Sequence, residues 1–595
     1  MPAPSEPAER LRPSSALALF SAGCAFLMLC SAHRFTTALH YAYLGGFEII
    51  HGRLPYRDFS FLTGPAMIFL QALWFKVTGT TSYLWGYATH AAVLNGLAAV
   101  MVAGLAVERT GRERVSLAAG ALTSVWFYSV FMAVPWYDHE AHFFLIAALW
   151  LMRRSQNGGG RFAAGLLAST SFFCKQSHGA FGLIFLCLYL FVSEGWGAAA
   201  AFTAGGTAGV AAWSLGCASI AGWAPFYHDF LYLPLHSGRV SFTHEARFWV
   251  LSLPAMLVLL VAPSLKPYRV FAPAVALSAA AIVLQSPLYL VFLAPLALWP
   301  WLETVEERAL TLALVLIQLD GRLTSNNEIK IYWPFLGVFF ALAYRTMDRA
   351  TARALQSRAL QRAKPVSEFV LRRCLWSCWL FMMLWGIRLS YLHKVNSPFP
   401  GSTFLAALLF LALAFCLRPE RRLWRFTAGF LLISCGLLTR SEWAYLRHLR
   451  DPVFMAGYDA TKPSRTIDEP VLRGVTMTEG DARGLEAALP ALRALPPERK
   501  PVFSYCECDI LYPLINQPLP PFWWFDPTST FKPGDGTEEK VISFLEKDHY
   551  GTFIWCPVYS SLMEMPKLEQ WLKDHTKFEH DYAGYRFYEI EKTHR

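Results

Sequence analysis

The chain has 595 residues, 54% of them hydrophobic and 16% charged, where a soluble globular protein carries about 25% charged residues. That balance excludes a water-soluble fold for most of the length and points to repeated membrane crossing. The formal net charge of +10 then reads as orientation charge in loops between spans, not as a nucleic-acid surface.

Apolar stretches recur from residue 16 to residue 438, many approaching the roughly 20 residues that a helix needs to cross a bilayer. The first, at 16–32, follows Arg10 and Arg12 and has no small-residue cleavage site, so it reads as a retained anchor. A first outer segment, 33–82, contains the polar and aromatic run HGRLPYRDFSFLTGP at 51–65. Within that segment, 66–78 is apolar but too short to cross, and its Trp74 and Lys76 suit a helix lying on the outer face. A full span is expected at 83–107, delivering the basic run ERTGRER to the cytoplasm.

The ladder continues with 115–134 outward, the loop PWYDHEAH at 135–142, and 141–152 inward. Spans at 162–173 and 181–192 flank a short outer turn, CKQSHG, and 198–221 leads to an aromatic, His-rich outer loop at 223–248. Later spans are expected near 249–263, 270–300, 308–319, 330–344, 374–392, 402–417 and 424–440. The total is roughly 13 to 15, and odd in number. The basic runs at 108–114, 153–161, 345–373 and 418–425 then all fall inside, the third as an amphipathic helix on the inner leaflet. The expected architecture is mainly α and polytopic over 1–440, N-terminus cytoplasmic, with an extracytoplasmic α/β domain at 441–595.

In that last part the composition shifts. PVFSYC and GTFIWC read as buried strands with a helix at 538–547 between them, a parallel unit. Helices are expected at 482–495 and 567–574 and a final strand at 585–590. No Gly-rich phosphate loop is present, so no nucleotide cofactor is expected. Cys506 or Cys508 could bridge to Cys556 if the two strands are neighbours, since an outer compartment permits disulfides; buried free thiols are the alternative.

The chemistry-bearing residues gather on the outer side. The first loop supplies Glu48, Arg53, Arg57 and Asp58; the second supplies Asp138, His139 and Glu140; the short turn supplies Lys175 and His178. The loop after residue 221 supplies His228 and Asp229 among others, and the turn at 320–330 supplies Lys330. A carboxylate such as Asp58 can deprotonate an acceptor hydroxyl, with Asp138 as a second acid across the site. Asp138, His139 and Glu140 together could hold a divalent cation, magnesium or manganese. Lys175, His178, Arg57 and Lys330 could hold a phosphate. Taken singly, each residue is better accounted for by a loop salt bridge, such as Asp58 with Arg57 or Arg53, or by a helix cap, and Lys175 equally by a snorkelling lysine.

The run GGFEIIHGRLPYRDFSFLTGPAMIFLQALWFKVTG at 45–79 resembles the first outer loop of the GT-C superfamily of polytopic membrane glycosyltransferases, bacterial mannosyltransferase and aminoarabinose-transferase types included. PWYDHEAHFFLIAALWLM, FFCKQSHGAFG and NNEIKIYWPFLGVFF resemble the second acidic loop, the lysine turn and the late polar turn of that superfamily. The resemblance implies an inner-membrane enzyme. It would transfer a sugar, with inversion, from a polyprenyl-phosphate donor to a hydroxyl of a glycan, lipid or protein of the envelope. It also implies an acid of the first loop as base and, in many members, a divalent cation. One departure stands out: the acid that usually lies about twenty residues before P-Y-R-D-F is missing, its place being taken by TTALHY at 36–41. A flippase for a lipid-linked sugar and an inactive envelope-assembly scaffold are the other readings. The absence of an internal repeat and the appended α/β domain count against the first of these.

Overall fold

The computed structural model describes residues 11–33, 41–61, 63–110, 113–129, 137–155, 157–232, 299–305, 307–309, 311–312, 464–505, 510–521, 537–547, 550–555, 566–582 and 584–591. Mostly helix, these residues also form one four-stranded sheet and a two-stranded ribbon. The expected spans from 249 to 440, Lys330 and Cys506, Cys508 and Cys556 fall outside the described residues, apart from short pieces near 300 and 310.

The N-terminal helices are α1 (Pro13–His33), α2 (Tyr41–Ile50), α3 (Ala66–Thr78), α4 (Thr89–Thr110), α5 (Glu113–Ser129), α6 (Tyr137–Arg154), α7 (Gly158–Cys174), α8 (Gln176–Glu194), α9 (Trp196–Ala221) and the short α10 (Trp223–Tyr227). A π-helical turn, Tyr83–Ala88, leads into α4, and Ser82 caps it by accepting from the Trp85 N–H. Together they make Tyr83–Glu108, the one described helix long and apolar enough to cross a membrane by length and composition. α3 stops at Gly79, whose left-handed φ of 67° lets its N–H close onto Phe75 O. One side of α3 is buried through Met67, Ile68, Gln71 and Phe75, while Leu73 and Val77 on the other are exposed.

Two expectations for the loops are corrected. PWYDHEAH is not a loop at its C-terminal end: Tyr137 to His142 already belong to α6. The CKQSHG turn shrinks to Lys175, extended at φ −145° and ψ 117°, between the last residue of α7 and the first of α8. α7 and α9 pack at backbone distance because glycines face each other. A Cβ on Gly165 would lie 2.1 Å from Phe202 O and one on Gly205 1.9 Å from Phe162 O, the small-residue packing found where helices pair in lipid.

In the C-terminal part the elements are β1 (Ser464–Arg465), β2 (Met477–Thr478), α11 (Glu479–Ala494), β3 (Val502–Tyr505), α12 (Leu511–Leu514), α13 (Thr537–Lys547), β4 (Thr552–Trp555), α14 (Pro566–His575), β5 (Thr576–Tyr582) and β6 (Tyr585–Ile590). The sheet order is β3-β4-β6-β5. β3 and β4 are parallel neighbours, with Tyr505 opposite Trp555; the other pairings are antiparallel. β5 is a strand the sequence pattern does not announce, an exposed edge whose Lys577, Glu579, His580 and Asp581 break the apolar alternation. Charge on an edge strand discourages pairing with another chain.

Strand alternation divides the sheet between two cores. Phe503, Phe553 and Ile590 face Val541, Phe544, Leu568 and Trp571 of α13 and α14. Val502, Ile554 and Phe587 face the opposite way, into a core that also contains Leu485 and Leu489 of α11. That second core is continuous with Tyr43, Phe59 and Tyr87 from the N-terminal part.

Candidate active site

The first loop folds into a tight, self-bonded turn. Tyr56 N–H donates to Phe59 O (2.8 Å) and Asp58 N–H to Leu54 O (2.9 Å). Tyr56 takes a left-handed φ of 67°, unfavourable for a bulky residue. Its ring is buried in return, edge-on to Phe226 at 5.4 Å. Asp58 is closed within this turn: Oδ2 accepts from Leu54 N–H (2.7 Å) and Arg57 Nη2 (2.7 Å), and Oδ1 from Arg57 Nε (3.0 Å). The Arg57 hydrogen bonds are the main reason the Asp58 carboxyl lies below its ordinary range; partial desolvation opposes them, and Leu54 N–H adds to them. Asp58 and Arg57, expected as base and phosphate group, are thus each other's partners.

Arg53 ties the loop to the C-terminal part. Its Nη1 reaches Glu48 Oε2 (2.5 Å) and Leu519 O (2.7 Å), and its Nη2 donates to Asp58 O (2.9 Å). Glu48 is 1% exposed. Burial pushes its carboxyl above the ordinary range, against the pull of Arg53 and of the Leu519 N–H.

On its other side the loop rests on the α7–α8 junction. Gly64 N–H donates to Cys174 O (3.2 Å), and a Cβ at Gly64 would fall 1.8 Å from Phe173 O. Lys175 follows at once, buried, with Nζ 4.7 Å from the centre of the Tyr137 ring. Trp213, Phe173, Phe230 and Phe226 stack in sequence, at 5.6, 5.0 and 5.2 Å between centres. That ladder carries the π-helical turn His228–Tyr232 against the loop. Ser60 Oγ donates to Asp229 Oδ2 (2.6 Å), and His228 Nδ1 lies 2.9 Å from Asp229 Oδ1. Gln176 Nε2 donates to Phe230 O (2.8 Å), joining this turn to the start of α8. Ser60 N–H donates to Pro521 O (2.9 Å).

The structure therefore unites the first loop, the Lys175 junction, the His228–Asp229 turn and residues 519–521. Glu140 is fully buried among helices behind the α7–α8 junction, 3.8 Å from His90 Nδ1 and 3.9 Å from Cys174 Sγ. His139 is buried beside it in α6, while the side chains of Asp138 and His178 lie outside the described atoms. Asp138, His139 and Glu140 are consecutive in a helix, where side chains turn by about 100° per residue. No group of three metal-ligating side chains occurs among the described residues. Sequence patterning places Asp229 among the outer polar residues but cannot single it out. Its partner Ser60 lies 169 residues away, and no local motif encodes that meeting.

No family model matches the chain, and no curated protein does. Among solved structures, it is similar to ArnT from Cupriavidus metallidurans bound to undecaprenyl phosphate: 14% identity over 98% of this chain and 99% of that one, TM-score 0.37. It is also similar to the archaeal oligosaccharyltransferase AglB from Archaeoglobus fulgidus in complex with an inhibitory peptide and a dolichol-phosphate: 13% identity, 97% and 74% covered, TM-score 0.41. The Archaeoglobus fulgidus oligosaccharyltransferase in complex with Zn and sulfate matches at 12% identity, with 97% and 73% covered and a TM-score of 0.40. TM-scores below 0.5 do not define a shared fold.

Proposed function

We propose that the chain is a membrane glycosyltransferase of the GT-C type. It takes a sugar from a polyprenyl-phosphate donor and passes it to a hydroxyl of an envelope glycan, lipid or protein. The observation that carries this reading is the convergence of three polar segments, distant in sequence, on one bonded surface: the first loop, Lys175 and the His228–Asp229 turn. The first two are segments whose residues resemble the superfamily. In this reading the chain crosses the inner membrane repeatedly, the first loop and residues 441–595 face outward, and α3 lies along the outer face.

Lys175 and His178, at the N-terminal end of α8, would meet the donor phosphate, where the lysine charge and the helix dipole both favour an anion. Arg57 and Lys330 are the further candidates for that contact. Asp58 orders the loop that carries Arg57. A divalent cation, where one takes part, would draw on Asp138, His139 or Glu140 together with ligands from other segments. The purified full-length chain in lipid nanodiscs, given a panel of polyprenyl-phosphate sugars, should release polyprenyl phosphate and consume donor. Movement of the intact donor between leaflets without consumption would instead make the chain a flippase.

A further inference from the structure

The missing upstream acid leaves open which group takes the proton from the acceptor. Among the described residues of the polar surface, three carboxylates are candidates, and each has its oxygens engaged. Asp58 holds Arg57 and Leu54 N–H. Glu48 holds Arg53 and Leu519 N–H and is buried. Asp229 holds Ser60 Oγ on one oxygen and His228 Nδ1 on the other.

The third case differs in what it presents to solvent. A carboxylate only accepts, so the His228 nitrogen 2.9 Å from it carries the hydrogen, and the tautomer this selects has Nε2 as its acceptor. The His228 side chain is 49% exposed while that of Asp229 is 10% exposed. The imidazole is fixed from behind by a buried carboxylate, itself fixed by a serine of the first loop, and stacks on Tyr232 at 5.6 Å. That is the orientation logic of a base held in one tautomer by an acid.

We propose that His228, positioned by Asp229 and Ser60, is the proton acceptor for the incoming hydroxyl. The inference rests on the transferase reading above. As the acceptor oxygen bonds to the anomeric carbon, its proton passes to His228 Nε2. The bond from that carbon to the phosphate oxygen breaks, and polyprenyl phosphate leaves with the electron pair. Asp229 faces the imidazolium through Oδ1 and holds its orientation; it is a positioning residue.

The test uses the full-length protein in nanodiscs and the donor sugar that the wild type consumes best from a panel of polyprenyl-phosphate sugars. His228→Gln should lower kcat by roughly 10² to 10⁴, with the donor KM within about threefold of wild type. His228→Ala should regain turnover when free imidazole is added, which a purely structural histidine would not allow. Asp229→Asn should lower kcat without preventing binding of polyprenyl monophosphate. A His228→Gln protein that binds polyprenyl monophosphate and turns over within about threefold of wild type would overturn the inference and leave the transferase reading standing. A wild type that consumes no donor in the panel would overturn both.

Discussion

Glu48 and Leu519 meet across 471 residues of chain, the Leu519 N–H donating to Glu48 Oε1 at 3.2 Å. Arg53 completes the contact from the other side, joining Glu48 to Leu519 O and to Asp58 O. A buried carboxylate, a guanidinium and the backbone N–H and C=O of Leu519 thus hold the first loop and the C-terminal part in register.

Arg53→Ala removes the partner of a buried carboxylate and two further donors at once. Losing one side of a buried pair costs about 3 kcal/mol or more. Glu48→Gln keeps the size of the side chain and one acceptor oxygen, and leaves Arg53, which is partly exposed, bonded to Leu519 O and Asp58 O, so its cost should be smaller, about 1.5 to 3 kcal/mol. Deuterium uptake of the peptide covering 510–521 is the readout. It should rise strongly in Arg53→Ala and less in Glu48→Gln; equal protection in both variants and the wild type would deny the contact any role in docking.

The turn around Asp58 should respond to acid. Its carboxyl is held below the ordinary value of 3.8, chiefly by Arg57. A depressed folded value contributes stability that is present above the unfolded value and lost as pH falls through the folded one. The loop at 53–60 should therefore keep its protection at pH 5 and lose it progressively below about pH 4. Asp58→Asn should abolish that pH dependence and lower turnover by less than about tenfold, because the residue orders a turn. A loss of roughly 10² or more in a protein with an intact loop would return Asp58 to the role of base.

How far the sequence reaches differs from element to element. Val502–Tyr505 and Thr552–Trp555 are legible as buried strands because a run of β-formers bounded by turn residues has few other folds, and their parallel pairing follows from the helix between them. β5 is illegible for the same reason inverted: as an exposed edge it needs no apolar face. At the site, a cluster of outer polar residues can be read from the chain, and so can the importance of the first loop. Which residue pairs with which cannot. Arg57 neighbours Asp58 in sequence, but whether it closes on that carboxylate depends on a Tyr56 backbone that sequence does not fix. The Ser60–Asp229 bond depends on an aromatic ladder drawn from three segments.

Gly64 should be intolerant of any side chain. Alanine there would place a Cβ 1.8 Å from Phe173 O, a backbone atom that cannot move aside without shifting α7. Gly64→Ala should lose the bond to Cys174 O, cost about 1 to 3 kcal/mol, and lower the thermal midpoint of the purified protein. Gly197→Ala is the control, since its Cβ would meet nothing within 4 Å. Matching midpoints for the two variants would mean that the loop does not lie against the α7–α8 junction.

Lys175 offers the sharpest separation of a packing role from a binding one. Its Nζ lies 4.7 Å from the centre of the Tyr137 ring, a cation–π contact worth about 0.5 to 2 kcal/mol. The residue also stands where α8 begins, so that charge and helix dipole act on one place. A lysine there only to cover Tyr137 would be replaced well by arginine, which stacks on aromatic faces at least as readily. A lysine that meets a phosphate as a point charge in a tight space would not. Lys175→Arg should therefore keep the thermal midpoint near wild type yet raise the donor KM, and Lys175→Ala should raise it by roughly tenfold or more. Acceptor KM should hardly move in either variant. Titration of the protein with polyprenyl monophosphate alone gives a second readout. If both variants bind that lipid as tightly as wild type, Lys175 packs against Tyr137 and the donor phosphate is held elsewhere.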